Sequence, residues 1–291
     1  DPEMSRGLGD VYKRQEYRQK RWKSVQNLPE ILWKSGKYGI LISEKLQNVM
    51  VKRGRLMLER RIKQEIRDFL DGDRKEALMV TGARQVGKTY IIRECAKEIY
   101  KNIVEINFVE NQQAVKLFAN TTGSKDILLR LSALTDVPMI PGETLIYFDE
   151  VQECPEIVTA IKFLVEDGQY RYILSGSLLG VELKDIRSVP VGYLSILEMY
   201  PLDFREFCEA NRVSQTVMDK LKECFEKKQP VDELIHEKMM ELFRLYLIVG
   251  GMPAVVDAYI RTNNLKEVLR IQQGIVQLYY KDIAKYDKDN K

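Results

Sequence analysis

The chain of 291 residues is almost without histidine, His236 being the only one. A His-rich metal site and a Ser-His-Asp triad are therefore excluded, and within VDELIHEKMMEL this residue reads as part of a helix surface. Cysteine is scarce as well. Cys95, Cys154, Cys208 and Cys224 lie far apart with no C-x-x-C pair, which argues against a zinc site or a disulfide framework and for reduced, structural thiols. Long apolar runs are missing too: no uncharged stretch approaches the roughly 20 residues that cross a bilayer, and the N-terminus DPEMSRGLGDVYKRQ has no apolar signal region. The expectation is a cytoplasmic protein with no membrane partner.

Apolar residues are plentiful, at 45% of the chain, enough to bury the core of one large or two modest domains. The net charge of +3 is unevenly spread. Residues 1–56 carry 13 Lys/Arg against 6 Asp/Glu, and the remaining 33 against 37 make residues 57–291 net negative. The overall basicity thus says little about partners, and DNA is a candidate that the charge of the core does not support. Residues 1–56 also lack a sustained period, and MSRGLGDVYKRQ resembles translated adaptor or library sequence. They are expected to be a basic leader, foreign to the natural protein or disordered, with the natural start at Met50 or Met57.

From Met57 the pattern is regular. In MLERRIKQEIRDFL, residues Leu58, Ile62, Ile66, Phe69 and Leu70 fall on one helical face. Four short apolar segments then read as buried strands: 77–82, 102–109, 144–150 and 171–177. Helical stripes alternate with them, Ile91, Ile92, Cys95 and Ile99 in one, Ile157, Val158, Ile161, Leu164 and Val165 in another, the second led by Pro155 at a first-turn position. Strand alternating with helix predicts an α/β fold, a parallel sheet flanked by helices and built from βαβ units. A fifth strand is expected within 192–202, followed by helices up to the stop at GGMP (250–253). A last helix presents Leu265, Val268, Leu269, Val276, Tyr279 and Ile283 on one side, a face expected to lack a covering element because the chain breaks off inside a further domain. The boundaries expected are 1–56 for the leader, 57–202 for the core, 203–253 for a helical lid-like region and 254–291 for the start of a truncated C-terminal domain.

The strongest chemical signal is GARQVGKT, Gly82 to Thr89, which satisfies G-x-x-x-x-G-K-S/T between a strand and a helix. Such a loop wraps backbone N–H groups around phosphate oxygens at a helix N-terminus, and Gly82 and Gly87 allow the curvature and the close approach. The loop residues Gly82, Ala83, Arg84, Gln85, Val86, Gly87, Lys88 and Thr89, with Tyr90 directly after, form the expected binding segment for ATP. Lys88 reaches the β- and γ-phosphates, and the Thr89 hydroxyl is placed to ligate Mg²⁺. Arg84 and Gln85 could contact phosphate or a partner. In LIYFDE, Asp149 and Glu150 end a strand, where α/β sheets bind ligands. Asp149 would hold magnesium through its water shell, and Glu150 would act as the base that polarises the attacking water. In LSGS, Ser175 or Ser177 could touch the γ-phosphate. Arg187 is a candidate for an arginine that senses the γ-phosphate from its own or a neighbouring subunit, with a solvated surface arginine as the alternative.

Five blocks, TGARQVGKTY, LIYFDEVQECPE, ILSGSLLG, EMYPLDFREF and YLIVGGMPAVV, occur in the order found in a widespread prokaryotic family. Over roughly residues 57–287 the chain resembles the AAA-type (AAA+) P-loop ATPases that carry a C-terminal domain of unknown function related to restriction-endonuclease folds. The resemblance implies that Lys88 and Thr89 are the Walker A pair, that Asp149 and Glu150 are the Walker B pair, and that the strand 171–177 carries sensor 1. It also implies a lid from about 203 to 249. The chain holds too little of the C-terminal domain for a nuclease-like site to be carried over.

The function expected is Mg²⁺-dependent hydrolysis of ATP to ADP and phosphate, driving motion of the lid or C-terminal region. A GTPase would need a base-reading N-K-x-D segment, and none is present. A helicase would need a Q-x-x-R motif after DEVQ and a basic channel, and both are missing. The remaining alternatives are a slow nucleotide-switched interaction module with an unknown protein partner, and a DNA-associated ATPase acting with a nuclease-like domain.

Overall fold

The computed structural model describes residues 58–118, 123–177 and 192–286. The leader 1–56 and Arg187 lie outside the described residues. In chain order the elements are α1 (Ile62–Asp71), β1 (Ala77–Gly82), α2 (Lys88–Ile99), β2 (Asn102–Asn107), α3 (Gln112–Phe118), α4 (Ser124–Leu134), β3 (Thr144–Asp149), a single 3₁₀ turn (Val151–Glu153), α5 (Pro155–Asp167), β4 (Arg171–Ser177) and β5 (Leu194–Met199). Helices α6 (Phe204–Ala210), α7 (Gln215–Glu226), α8 (Glu233–Val249), α9 (Pro253–Thr262) and α10 (Leu265–Tyr286) follow. The five strands make one parallel sheet in the order β2-β3-β4-β1-β5, the α/β architecture that the alternating pattern predicts.

The two-residue period of a strand sorts the side chains between the two faces of this sheet. Leu78, Val80, Leu145, Tyr147 and Ile173 pack on one side with Ile62, Ile66 and Phe69 of α1 and Ile91, Ile92 and Cys95 of α2. Met79, Ile146, Phe148, Tyr172 and Leu174 pack on the other with α3, α4 and α5 through Phe118, Ile127, Leu131, Ile157 and Ile161. β1 and β3 are buried along their whole length, which is why they read as unbroken apolar runs. All four cysteines are buried, and burial pushes the Cys95 and Cys208 thiols up to about 11 and the Cys154 thiol to about 12, which keeps these three protonated at neutral pH. His236 lies exposed on α8. Among the described residues no helix is long and apolar enough to cross a membrane.

Leu58 does not join the face of α1. The helix begins only at Ile62, and Leu58 packs instead against the helical region that follows the sheet. The chain is turned there by Glu206, which accepts from the Arg61 backbone N–H at 2.8 Å and pairs with the Arg60 guanidinium at 3.3 Å. Glu206 also completes the capping box of α6: its backbone N–H donates to Asp203 at 2.7 Å, and its carboxylate accepts from the Asp203 N–H at 3.1 Å. The block PLDFREF therefore ends a strand, starts a helix and fastens the segment before α1 in a single turn.

The side chains of Arg60 and Glu206 are both under 10% exposed. Glu206→Ala leaves a buried guanidinium without its carboxylate and is expected to destabilise the protein by about 3–5 kcal/mol, read as a lowered urea midpoint at unchanged slope.

The GGMP block packs on the same turn. Leu202 N–H donates to the Gly251 carbonyl at 2.7 Å, and a Cβ on Gly251 would sit 2.1 Å from the Leu202 carbonyl oxygen, so two backbones meet where no side chain fits. Leu202, Phe207, Val249, Val255, Val256, Val268 and Ile275 form one buried cluster, so the helices on either side of residue 253 share a core.

The buried seam of α10 differs from the face expected. Val268, Ile271, Ile275 and Tyr279, spaced three, four and four apart, pack inward, while Leu265, Val276 and Ile283 are exposed. The seam is covered by α9 and, at its far end, by the loop after β1.

Candidate nucleotide site

The ends of β1, β4 and β3 lie side by side, because β4 pairs in parallel with both neighbours. Three sequence signals that are far apart in the chain thus meet at the carboxyl ends of the three central strands. The loop Gly82 to Gly87 leaves β1 and opens α2, with Gly87 as its left-handed N-cap at φ 97° and Gln85 also left-handed at φ 65°. Gly82 carries a further requirement: at φ 146° a Cβ there would stand 2.2 Å from the Met199 carbonyl oxygen, so this glycine also allows β1 and β5 to close on one another.

Lys88 is 7% exposed and folds back over the loop, its ammonium donating to the Gly82 and Ala83 carbonyls at 3.0 Å each. Burial lowers its pKa from the ordinary lysine range, Glu150 and Asp149 oppose that shift, and Arg84 reinforces it. The Thr89 hydroxyl donates to Asp149 Oδ2 at 3.1 Å. Asp149 is 2% exposed and also accepts from Asn107 Nδ2 at 3.1 Å, from the Glu150 N–H at 3.1 Å, and from the Ser175 hydroxyl. Ser175 in turn lies 2.9 Å from the Tyr147 hydroxyl, whose pKa burial pushes well up, so Tyr147 stays protonated and can donate. A threonine hydroxyl and a carboxylate in contact at a helix start are hard oxygen donors, and they suit a magnesium ion shared with phosphate oxygens. Among the described residues no group of three His, Cys, Asp or Glu side chains forms a metal cluster.

Glu150 follows Asp149 with a left-handed backbone at φ 56°, a conformation that costs a non-glycine residue of order 1 kcal/mol and tends to occur at functional positions. The two serines left open by the sequence part company here. Ser175 is engaged with Asp149, whereas the Ser177 hydroxyl is buried with no hydrogen-bond partner among the described residues.

The remaining loop residues are placed as follows. The Val86 carbonyl accepts from Arg60 Nη1 at 3.0 Å. Arg84 pairs with Asp282 of α10 at 2.7 Å, and its carbonyl accepts from the Tyr279 hydroxyl at 2.7 Å. A cavity of about 780 Å³ opens beside Gln85, Val86, Gly87 and Tyr90, walled opposite by Leu58, Met199 and Pro253. Its volume lies within the ordinary range of small-molecule sites. Sequence reading passed over Arg60, Asn107, Gln152 and Asp282. Only Gln152, inside the DEVQ block, lies within one of the motifs; Arg60 is one of several charges in the segment before α1, and Asp282 one of several on α10.

Residues 74–208 match the family model of an AAA domain, and residues 240–291 match that of a domain of unknown function, DUF8612. A relation to restriction-endonuclease folds is not part of the second match. No curated protein matches the chain in sequence. Among solved structures it is similar to the Walker-type ATPase of Pyrococcus abyssi, at 13% identity and a TM-score of 0.46, over 79% of this chain and 77% of that one. It is also similar to PCH-2 of C. elegans, at 11% identity and a TM-score of 0.41, over 78% and 70% of the two chains. A third is the Drosophila ORC bound to DNA, at 12% identity and a TM-score of 0.41, over 80% and 70%.

Proposed function

We propose that the chain binds ATP with Mg²⁺ and hydrolyses it to ADP and phosphate, as an AAA-type ATPase. The observation that carries this reading is the meeting of Lys88, Thr89 and Asp149: a buried ammonium on the phosphate loop, and a hydroxyl 3.1 Å from a buried carboxylate at the neighbouring strand ends. The triphosphate would lie along the loop, with Lys88 giving up its contacts to the Gly82 and Ala83 carbonyls for phosphate oxygens. The nucleoside would occupy the cavity beside Gly87 and Tyr90. Magnesium held by Thr89 and, through water, by Asp149 would neutralise charge on the β- and γ-phosphate oxygens. Glu150 accepts the proton of the attacking water as its oxygen bonds to the γ-phosphorus and the bond to the ADP oxygen breaks. Ser177, whose hydroxyl has no partner among the described residues, is the better candidate of the two serines for a γ-phosphate contact, because Ser175 is committed to Asp149.

A second reading, a slow nucleotide-switched module, is favoured by the grip of α10 on Arg84. In that reading the state of the loop is passed to the C-terminal helix and on to a protein partner, and turnover is incidental. Phosphate release from Mg²⁺-ATP separates the two. The ATPase reading expects steady-state release that stops on chelation by EDTA and returns with added Mg²⁺. Tight ATP binding with release no faster than spontaneous hydrolysis would leave the switch.

A further inference from the structure

We propose that Gln152 is a positioning residue for the Glu150 carboxylate, an inference that rests on the ATPase reading and on Glu150 as its base. Gln152 sits in the middle of the single 3₁₀ turn after β3. That turn is fixed at both sides: Val151 and Cys154 are buried, and the turn is closed by backbone hydrogen bonds from Glu153 to Glu150 and from Cys154 to Val151, each at 3.0 Å. From this rigid base the Gln152 side-chain amide bridges two strand ends. Its Nε2 donates to Glu150 Oε2, and its Oε1 accepts from the backbone N–H of Ser177 at 3.4 Å.

The consequence for chemistry follows from which oxygen is held. A glutamate side chain turns about three bonds, and a base that samples many rotamers spends little time aimed at its water. The amide fixes Oε2, while Oε1 makes no hydrogen bond among the described residues and is free to take a proton. The backbone contributes as well, since Glu150 is held left-handed with its N–H on Asp149 Oδ1 at 3.1 Å. The other end of the bridge is the last residue of β4, whose buried hydroxyl lacks a partner among the described residues. Gln152 therefore ties the aim of the base to the strand end that lies between the phosphate loop and Asp149. Its part is to hold the carboxylate, and it transfers no proton itself.

The test uses the full chain with Mg²⁺-ATP, measuring single-turnover hydrolysis at saturating protein and, separately, binding of a fluorescent ATP analogue. Gln152→Ala is expected to lower the hydrolysis rate about 10- to 100-fold with nucleotide affinity unchanged within about twofold. Gln152→Glu keeps the length of the side chain and an acceptor for the Ser177 N–H, but it sets a like charge against Glu150. It is expected to fail as the alanine does, whereas a role confined to packing predicts near-parental turnover for this close match in shape. Parental turnover in either variant overturns the proposal, and so does an equal loss of affinity and rate, which would put Gln152 in nucleotide binding. Glu150→Gln is measured beside them: if it is inactive while Gln152→Ala is parental, the positioning role alone is wrong, and if it turns over normally, the base assignment beneath the proposal is wrong too.

Discussion

Glu150→Gln is expected to reduce ATP turnover by about 100- to 10,000-fold while ATP binding is retained, because a positioned general base contributes on that scale and an amide cannot take a proton from water. The substitution is nearly isosteric and the residue is only partly buried, so folding is not at risk. The left-handed backbone at φ 56° is as available to glutamine as to glutamate, and neither gains from it. Hydrolysis and binding must be read together, since loss of both would mean that the loop had been disturbed. Binding with turnover at the parental rate would assign the base elsewhere.

Lys88→Ala is expected to act one step earlier and remove binding itself. An ammonium that is 7% exposed and bonded to two loop carbonyls at 3.0 Å is already largely desolvated beside the loop, so it exchanges those contacts for phosphate oxygens without first shedding a full water shell. Truncating one member of a desolvated charge contact costs at least about 2–5 kcal/mol, which is roughly 30- to 5,000-fold in the dissociation constant for ATP. Isothermal titration with Mg²⁺-ATP measures it directly. An unchanged dissociation constant would remove the loop from phosphate binding.

Much of this site can be read from the sequence because its parts are local. Eight consecutive residues make the phosphate loop, two consecutive carboxylates end an apolar strand, and the order of strand and helix follows from spacing alone. The partners that fix those groups are different in kind. Asn107 reaches Asp149 only because β2 pairs with β3, in the register that sets Asn107 opposite Asp149. Arg60 reaches the Val86 carbonyl only once Glu206, 146 residues later, has turned the chain ahead of α1. The role of Gly82 also needed the sheet order, since the clash that forbids a side chain comes from Met199 on a strand formed more than a hundred residues downstream. The seam of α10 differs from the face expected because both faces carry apolar residues at helical spacing, and only the neighbours of the helix decide between them.

The contact between Arg84 and Asp282 spans 198 residues of sequence, which gives it a timetable as well as a geometry. At synthesis rates of about 5–20 residues per second, the loop waits roughly 10–40 s on the ribosome between its own completion and the arrival of that carboxylate. The sheet can close in that interval, since its last strand ends at Met199. The nascent chain thus passes through a stage in which the phosphate loop already stands between finished strands, while Arg84 faces solvent and any anion there without a competitor from α10.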